Sequence, residues 1–406
     1  MVAPRDLRVI LGVLGTVLLA AGATPTPSRA VEPIKIGDLN SYTVLPAFSL
    51  PYRKGWTLAL EEINRAGGVL GRPLEVISRD DGGKPGDAIT AANELVSRAK
   101  VRVLIGTLLS HVGLAISDFA KQKRILFLAA EPLTDAIAWA KGNRYTFRLR
   151  PGTYVQAAML AEEAAKLPAR RWATVAPNYE YGQSAVAAFK KLLTRKRPDV
   201  VFVAEQWPAL FKIDAGATVQ AIALSNPDAV FNVTFGGDLV KFVREGSLRG
   251  LFEGRDVVSL LTGEPEWMAP LKDEVPEGWI VTGYPWKDID TPAHNAFMSA
   301  YRTRFEDSPR MGSVVGYVTL KSIAAAIAKA GSTETEALIA AMRGLAVETP
   351  FGPITYRASD QQSTMGTFIG RTTKIEGRGA LRDWRFLDGA HYLPPAAEVK
   401  RLRPAE

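Results

Sequence analysis

The chain has 406 residues, a formal net charge of +8 and no cysteine. Without cysteine it can form neither disulfides nor thiolate zinc sites, and it has no thiol nucleophile. The basic residues are scattered, and even the run at 195–197 lacks interleaved aromatic residues. This pattern favours a solvated surface over a nucleic-acid site. The length allows two lobes, each with its own hydrophobic core.

Residues 1–30 have the pattern of an export signal. Arg5 and Arg8 supply positive charge, and the apolar run that follows, 9–23, is short for a membrane span. We predict cleavage after Ala30 and a periplasmic mature protein; an uncleaved amphipathic anchor is the alternative. Lipid attachment at an N-terminal cysteine is excluded, because no cysteine follows. Beyond residue 30 we expect no apolar run long enough to cross a membrane.

The next segment reads as a strand, a loop, a helix and a second strand. Apolar residues alternate at Ile34 and Ile36, and the following loop is rich in aromatic residues and proline. Apolar residues at helical spacing begin at Trp56, a glycine turn follows, and Leu74–Ile77 reads as the second strand. Because a loop and not a phosphate cradle follows the first strand, the unit favours a secreted ligand binder over a nucleotide enzyme.

The same alternation continues through two series of strands and helices. Strands at Val101–Ile105 and Ile125–Leu128, with helices between them, predict a parallel sheet covered on both faces. A break near Arg150 starts a second α/β series, and a second break falls at 284–287. Two helices are then predicted, Pro292–Phe305 and Val315–Lys329, followed by a third that Ser332 caps and by strands from Thr349 onward.

Three connections between the two series predict that each lobe is discontinuous. We expect one lobe to comprise residues 31–148 and 287–348, and the other to comprise residues 149–284 and 349–406. Two lobes joined by several strands form a hinge, and such hinges close on ligands.

With this organisation the chain resembles the leucine/isoleucine/valine-binding proteins of bacterial ABC importers, which are type I periplasmic binding proteins. The segments that carry the resemblance are ALEEINRAGGVLGRPLEVISRDD (59–81), VLIGTLLSHVGLAISD (103–118), YTFRLRPGTYVQAAMLAE (145–162), APNYEYGQSAVAAFKKL (176–192), NPDAVFNVTFGGDLVKFVREG (226–246) and TPFGPITYRASDQQ (349–362). It implies a Venus-flytrap α/β fold of two hinged lobes, each a parallel-rich sheet flanked by helices. It also implies a periplasmic role, a permease partner in the inner membrane and no catalysis.

The ligand is expected beyond the carboxyl ends of the strands. The turn that ends at Ser110 leads directly into a predicted helix, whose first N–H groups lack helical partners and carry partial positive charge. A carboxylate could dock there, with Ser110 or His111 adding a side-chain donor, and the resemblance implies the same. The alternatives are that Ser110 is a plain N-cap and that His111 is an exposed helix residue.

The second wall is expected at Ala129, Ala130 and Glu131. The resemblance implies a backbone carbonyl and a threonine hydroxyl here, both directed at the ligand's ammonium group, but this chain has Glu131. That carboxylate could pair with an amine, or it could form a salt bridge with a nearby arginine and have no part in binding. Both possibilities are open, and the departure puts a simple leucine-like specificity in question.

The other lobe is expected to supply Tyr181, which matches a tyrosine that lies against the ligand in the family. Tyrosine presents an apolar face and a hydroxyl together. Glu264 lies near the position of an amine-binding glutamate, and Phe235 and Phe48 lie near positions where aromatic residues line the pocket. The alternatives are a core tyrosine, a surface carboxylate and two core phenylalanines.

The first loop supports a second ligand class. Tyr42, Phe48, Tyr52 and Trp56 are close together in it, which suits a planar ligand such as an aromatic carboxylate. We expect Trp56 itself to be a core residue.

No nucleotide-binding or hydrolase motif is present, and the three histidines show no metal-ligand spacing. We therefore expect no catalytic residue, metal or cofactor. The leading hypothesis is a monomeric carrier that binds an amino acid, branched-chain or related, or a similar small carboxylate for an ABC importer. The alternatives are a carrier for an aromatic carboxylate or amide, a sensor that presents its ligand to a membrane receptor and, last, a secreted hydrolase.

Overall fold

A computed structural model describes residues 1–4 and 31–404. The predicted export signal and its cleavage site lie within residues 1–30, and so largely outside the described residues. A separate unit begins at Pro33 and contains every element named below.

In the described part of the chain, five parallel strands form a first sheet in the order β2-β1-β3-β4-β5. Its elements are, in chain order, β1 (Ile34–Asn40), α1 (Pro46–Arg65), β2 (Leu74–Asp80), α2 (Pro85–Ser97), β3 (Val103–Gly106), α3 (Ser110–Lys123), β4 (Leu126–Ala129) and β5 (Thr146–Arg148). The central strands β3 and β4 are buried along their whole length, as expected for a parallel sheet covered by helices.

A second series builds a larger, mixed sheet. Its elements are α4 (Thr153–Ala164), β6 (Arg171–Val175), α5 (Glu180–Lys196), β7 (Val201–Gln206), α6 (Ala215–Leu224), β8 (Ala229–Asn232), α7 (Gly236–Leu248), β9 (Asp256–Gly263), α8 (Pro265–Met268) and β10 (Ile280–Gly283). The remaining elements are α9 (Pro292–Phe305), α10 (Met311–Ala330), α11 (Thr335–Met342), β11 (Ala346–Val347), β12 (Ile354–Thr355), β13 (Thr367–Ile375), β14 (Arg378–Leu387) and α12 (Ala396–Leu402).

The described strands of the second sheet have the order β14-β13-β10-β9-β8-β6-β7. The strands from β7 to β10 are parallel, and β13 and β14 extend the sheet as an antiparallel hairpin. Two parallel-rich sheets flanked by helices confirm the α/β fold class.

The connections between the sheets lie side by side at one point. The Arg148 N–H donates to Gln361 O at 3.0 Å, and the Ser363 N–H donates to Arg148 O at 2.9 Å. The end of β5 therefore pairs with the segment that leads to β13. The division of the chain into lobes at 148, 284 and 348 stays a prediction.

Helices α1 and α10 pack unusually closely. A Cβ on Gly316 would lie 2.0 Å from Tyr52 O, and one on Gly55 would lie 2.0 Å from Ser313 O. Helix α10 is 20 residues long and, by length and composition, apolar enough to cross a membrane, but most of it is buried in the fold. The expectation that no later run has these properties is therefore wrong, and this run forms a core helix.

Three helix starts differ from the sequence prediction. Helix α10 begins at Met311, four residues before the predicted Val315. Helix α1 begins at Pro46, so that Phe48 and Tyr52 lie on a helix and not in a loop. Proline is well suited to the first helical position, where its missing N–H would have no partner. Helix α11 has Glu334 as its N-cap, and the predicted cap Ser332 instead accepts a hydrogen bond from the Glu334 N–H at 3.0 Å.

Candidate ligand-binding site

Segments that follow strands of both sheets meet in one region, which we call the cleft. The Thr134 hydroxyl, after β4, donates to Glu180 at 2.7 Å, and the Asp135 N–H donates to Ser184 Oγ at 3.2 Å. Glu180 and Ser184 belong to α5, beside the second sheet. The elements around the first sheet and those around the second, which we call the two halves of the molecule, are therefore in direct contact on this side.

The turn after β3 is shaped by a close backbone approach. Gly106 has a φ of +107°, and a Cβ there would lie 2.2 Å from Leu39 O. Ser110 is the first residue of α3, and Leu109 is the N-cap, so the alternative that Ser110 caps this helix is wrong. The Ser110 hydroxyl is buried and accepts a hydrogen bond from the Thr134 N–H at 3.2 Å.

His111 is partly buried beside this turn, so it is not the exposed residue of the alternative. Its Nε2 lies 3.2 Å from Gly83 O, an acceptor, which places the ring hydrogen on Nε2. The ring meets Tyr179 edge-on at 5.4 Å between centroids. Burial lowers the pKa of His111, so the ring is neutral near pH 7.

Ala129 and Ala130 end the central part of the first sheet and are fully buried. Their carbonyl oxygens accept hydrogen bonds from the Leu149 N–H at 2.9 Å and the Arg150 N–H at 3.3 Å. These carbonyls therefore hold the chain that leaves the sheet, and they place Arg150 next to Glu131.

Arg150 joins two carboxylates that come from different sheets. Its Nη1 donates to Glu131 Oε1 at 2.5 Å, and its Nη2 donates to Glu264 Oε1. The second oxygen of Glu264 accepts from Trp267 Nε1 at 3.1 Å. We call Glu131, Arg150 and Glu264 the cleft cluster. It shows the arginine salt bridge considered for Glu131, and Glu264 is fully buried, so it is not a surface carboxylate.

Burial sets the electrostatics of this cluster. It raises the pKa of Glu131 well above its ordinary value and raises that of Glu264, although the positive charge of Arg150 opposes both shifts. A third buried carboxylate, Glu266, accepts from the Gly312 N–H at 2.6 Å. Burial, with the charge of Glu264 beside it, raises the pKa of Glu266 to about 7.

Aromatic side chains from both halves border the cluster, and we call them the aromatic row. Consecutive ring centroids lie 6.4, 5.6, 5.7 and 6.0 Å apart along the series Phe48, Trp267, Phe235, Tyr181 and Tyr179. Phe48 belongs to α1 and the others follow strands of the second sheet. Phe48 thus contacts Trp267 of the other half of the molecule. Phe48, Phe235 and Tyr181 are themselves buried in the hydrophobic core, as are Tyr52 and Trp56.

Several residues of this region were not identified from the sequence. Arg150 was treated as part of a break between lobes, and Glu266, Trp267 and Tyr179 were not singled out as site residues. Three of them could have been identified by their position in the sequence. Tyr179, Glu266 and Trp267 lie within a few residues of a strand's carboxyl end. Among the described residues, no group of three or more histidine, cysteine or acidic side chains could hold a metal ion.

A family model described as periplasmic binding protein matches residues 33–377. The Leu/Ile/Val-binding protein homolog 7 of Brucella suis biovar 1 (strain 1330) is 25% identical and aligns with 96% of this chain and 98% of its own. The leucine-, isoleucine-, valine-, threonine- and alanine-binding protein of Pseudomonas aeruginosa (strain PAO1) is 26% identical, over 80% of this chain and 86% of its own.

Solved structures show the same fold. An ABC-transporter solute-binding protein from Rhodopseudomonas palustris BisB5, in complex with 3,4-dihydroxybenzoic acid, superposes with a TM-score of 0.78 at 23% identity and covers 88% of this chain and 98% of its own. An amino acid ABC-transporter substrate-binding protein from Pseudomonas fluorescens Pf-5 superposes with a TM-score of 0.79 at 21% identity. The match covers 91% of this chain and 99% of that protein. At these identities the likeness concerns the fold.

Proposed function

The chain belongs to the periplasmic binding protein family, among the Leu/Ile/Val-binding proteins, and on that basis we propose that it binds a small molecule in the cleft and delivers it to an ABC importer. The family implies a periplasmic location. We further propose that the protein acts as a monomer, that its export signal is removed after Ala30, and that its partner is an inner-membrane permease.

One observation supports this function most directly. The buried Arg150 contacts one carboxylate from each half of the molecule, beyond the carboxyl ends of β4 and β9. A ligand between the halves would be enclosed by the same elements that these contacts hold together. The proposed carrier therefore closes over its ligand and opens to release it unchanged, without a catalytic step.

We propose an amino acid, or a similar small carboxylate, as the ligand. Its carboxylate would meet the first N–H groups of α3 and the Ser110 hydroxyl, where each charge-assisted hydrogen bond contributes about 1.5–3 kcal/mol. Tyr181 would close the cleft from the second half of the molecule. The names of the relatives, which specify leucine, isoleucine and valine and in one case also threonine and alanine, agree with this class.

An aromatic carboxylate is the second candidate. The aromatic row offers several rings to a planar ligand, and stacking contributes about 0.5–1.5 kcal/mol per pair beyond burial. A structural neighbour holds 3,4-dihydroxybenzoic acid.

Calorimetry and thermal unfolding with a panel of amino acids and aromatic acids test the proposed function. We expect saturable 1:1 binding by some members, and stabilisation of about 2.7 kcal/mol at a ligand concentration 100 times Kd. Mass spectrometry of small molecules released from the unwashed protein would identify the natural ligand. No binding across the panel, together with no released molecule, would contradict the carrier function.

A further inference from the structure

A groove outside the cleft is lined by both halves of the molecule, and we call it the hairpin groove. It has a volume of about 730 Å³, within the range of about 300–1,000 Å³ that is usual for small-molecule sites. Its walls are α8 and the residues after it, the segment 284–288, Ser308 and the tip of the β13–β14 hairpin. Ser308 lies between α9 and α10, which pack against α1 of the first half. The described residues that line the groove include no member of the cleft cluster or the aromatic row.

Helix α8 borders both the groove and the cleft. Its Trp267 ring lies beside Phe48 and Phe235 in the aromatic row. Two other residues of this helix, Pro265 and Met268, line the groove instead. A molecule bound in the groove would therefore touch the same helix that forms one side of the cleft.

The inner surface of the groove is apolar. Met268, Tyr284 and Leu381 line it and are each at most 5% exposed. Trp286 is partly buried, and Ile375, at the hairpin tip, is 56% exposed, so both add apolar surface closer to solvent. Apolar surface gathered in a cavity is typical of a ligand site. The groove is thus suited to a ligand with an apolar body.

The rim of the groove carries more positive than negative charge. Its exposed charged residues are Lys272, Lys287, Arg378, Asp288 and Glu376. Within the described part of the chain, none of these five forms a salt bridge. A further cation, Arg302, lies 5.2 Å from the centre of the Trp286 ring, and Lys287 Nζ lies 5.4 Å from it. An anionic head group would therefore meet several cations without breaking an existing ion pair.

We propose that the hairpin groove is a second binding site, for an organic anion with an apolar body, and that its occupancy strengthens ligand binding in the cleft. The second part rests on the proposed carrier function. The groove is formed in the arrangement in which Arg150 joins the two halves, and an anion that touches both halves favours this arrangement. Because coupling between two sites is reciprocal, a cleft ligand that favours the same arrangement strengthens anion binding.

The test of the site compares two molecules of similar shape and opposite charge by calorimetry. Naphthalene-1-sulfonate is the anion, and 1-naphthylmethylammonium is the cation. We expect the sulfonate to bind at least about tenfold more tightly than the ammonium compound. No binding of the sulfonate, or equal binding of the two molecules, would overturn the proposed site, and this comparison needs no variant.

Variants then place the sulfonate in the groove. The double variant Lys272→Glu, Lys287→Glu should weaken its binding by about tenfold or more. The double variant Lys121→Glu, Lys141→Glu is the matched control, because it makes the same change in net charge at exposed lysines that do not line the groove. Unchanged affinity in the groove variant, or an equal loss in both variants, would refute the placement.

The coupling is tested by titrating the sulfonate with and without the member of the amino-acid and aromatic-acid panel that binds most tightly. We expect about fivefold or more tighter binding of the sulfonate when this cleft ligand is present. Equal or weaker binding would refute the coupling. If the sulfonate binds in the groove and no panel member binds, the carrier function and the coupling that rests on it are contradicted. The opposite pattern contradicts the groove site alone.

Discussion

Two buried polar clusters in this molecule differ in what they connect. The strand cluster consists of Asp38, Tyr42 and Ser78, all from the first sheet and its connections. The Tyr42 and Ser78 hydroxyls both donate to Asp38 Oδ2 at 2.6 Å. The cleft cluster, by contrast, joins Glu131 beside the first sheet to Glu264 beside the second, through Arg150.

Because of this difference, we expect the strand cluster to affect the stability of the fold, and the cleft cluster to affect the relative position of the two halves as well. Hydroxyl–carboxylate bonds within one sheet do not depend on the distance between the two halves, so the strand cluster serves the fold. The cleft cluster depends on the distance between two halves, so any motion that separates β4 from β9 must rearrange it. Substitutions in the first cluster should change unfolding, and substitutions in the second should also change ligand binding.

Removing the arginine should have the largest effect. Arg150→Met leaves two buried carboxylates unpaired, and breaking a buried ion pair in this way lowers the free energy of unfolding by about 3–5 kcal/mol. We also expect the loss of ligand binding. Chemical denaturation and calorimetry measure the two effects, and Arg304→Met, which breaks an exposed pair with Glu61, is the control at about 0–1 kcal/mol. Equal effects of the two substitutions would contradict the stabilising role of Arg150 in the cleft cluster.

Truncating the aromatic row should weaken binding and also lower stability, because Tyr181 is buried. Tyr181→Ala removes a ring that meets Phe235 at 5.7 Å, and a central interface aromatic contributes about 2 kcal/mol or more to binding. Affinity should fall about 30-fold by calorimetry. Tyr181→Phe keeps the ring and isolates the hydroxyl. Unchanged affinity of the alanine variant would show that the tyrosine lies outside the binding surface.

The strand cluster should respond to pH and not to ligand. Burial raises the pKa of Asp38 from 3.8 to about 6, so the folded protein holds this proton more tightly than the unfolded chain. Its contribution is therefore present below pH 3.8 and is lost as the pH rises through about 6, with a magnitude of ~1–3 kcal/mol. The melting temperature of Asp38→Asn, relative to wild type, should be higher at pH 7.5 than at pH 5, with ligand affinity unchanged. If the difference in melting temperature between Asp38→Asn and wild type did not change with pH, the raised pKa of Asp38 would be contradicted.

The smallest effect is expected at the start of α3. Ser110→Ala removes one hydroxyl but keeps the backbone N–H groups of the helix, so binding should weaken by about 1 kcal/mol. Titration calorimetry of Ser110→Ala and Tyr181→Ala under the same conditions ranks the two losses of affinity. A larger loss for Ser110→Ala than for Tyr181→Ala would show that the side chain, and not the helix end, holds the ligand.

The sequence predicted individual helices and strands better than the contacts between them. Helix Pro292–Phe305 was predicted with its observed bounds, because its proline start and apolar spacing are local signals. The start of α1 was missed, because Pro46 and Pro51 made an aromatic stretch read as a loop. Resemblance directed attention to Glu131, Tyr181 and Glu264, whose roles stay predictions.

The cleft cluster itself could not have been predicted from spacing. Arg150 lies 19 residues from one of its partners and 114 from the other, and no local pattern relates such positions. The question left open for Glu131, amine or arginine, depended on the pairing of β5, which leads to Arg150, with β4. Such contacts follow from topology, which is set by the packing of whole sheets.

The paired backbone at Arg148 has a mechanical consequence. Arg148 forms backbone hydrogen bonds with both Gln361 and Ser363, so two segments that link the sheets are paired side by side. We expect these two segments to bend together. We expect such a pair of hydrogen-bonded segments to bend about one axis more readily than it twists. We therefore expect the two sheets to approach each other by essentially one rotation, and one pair of distance labels, one on each sheet, should be enough to follow it.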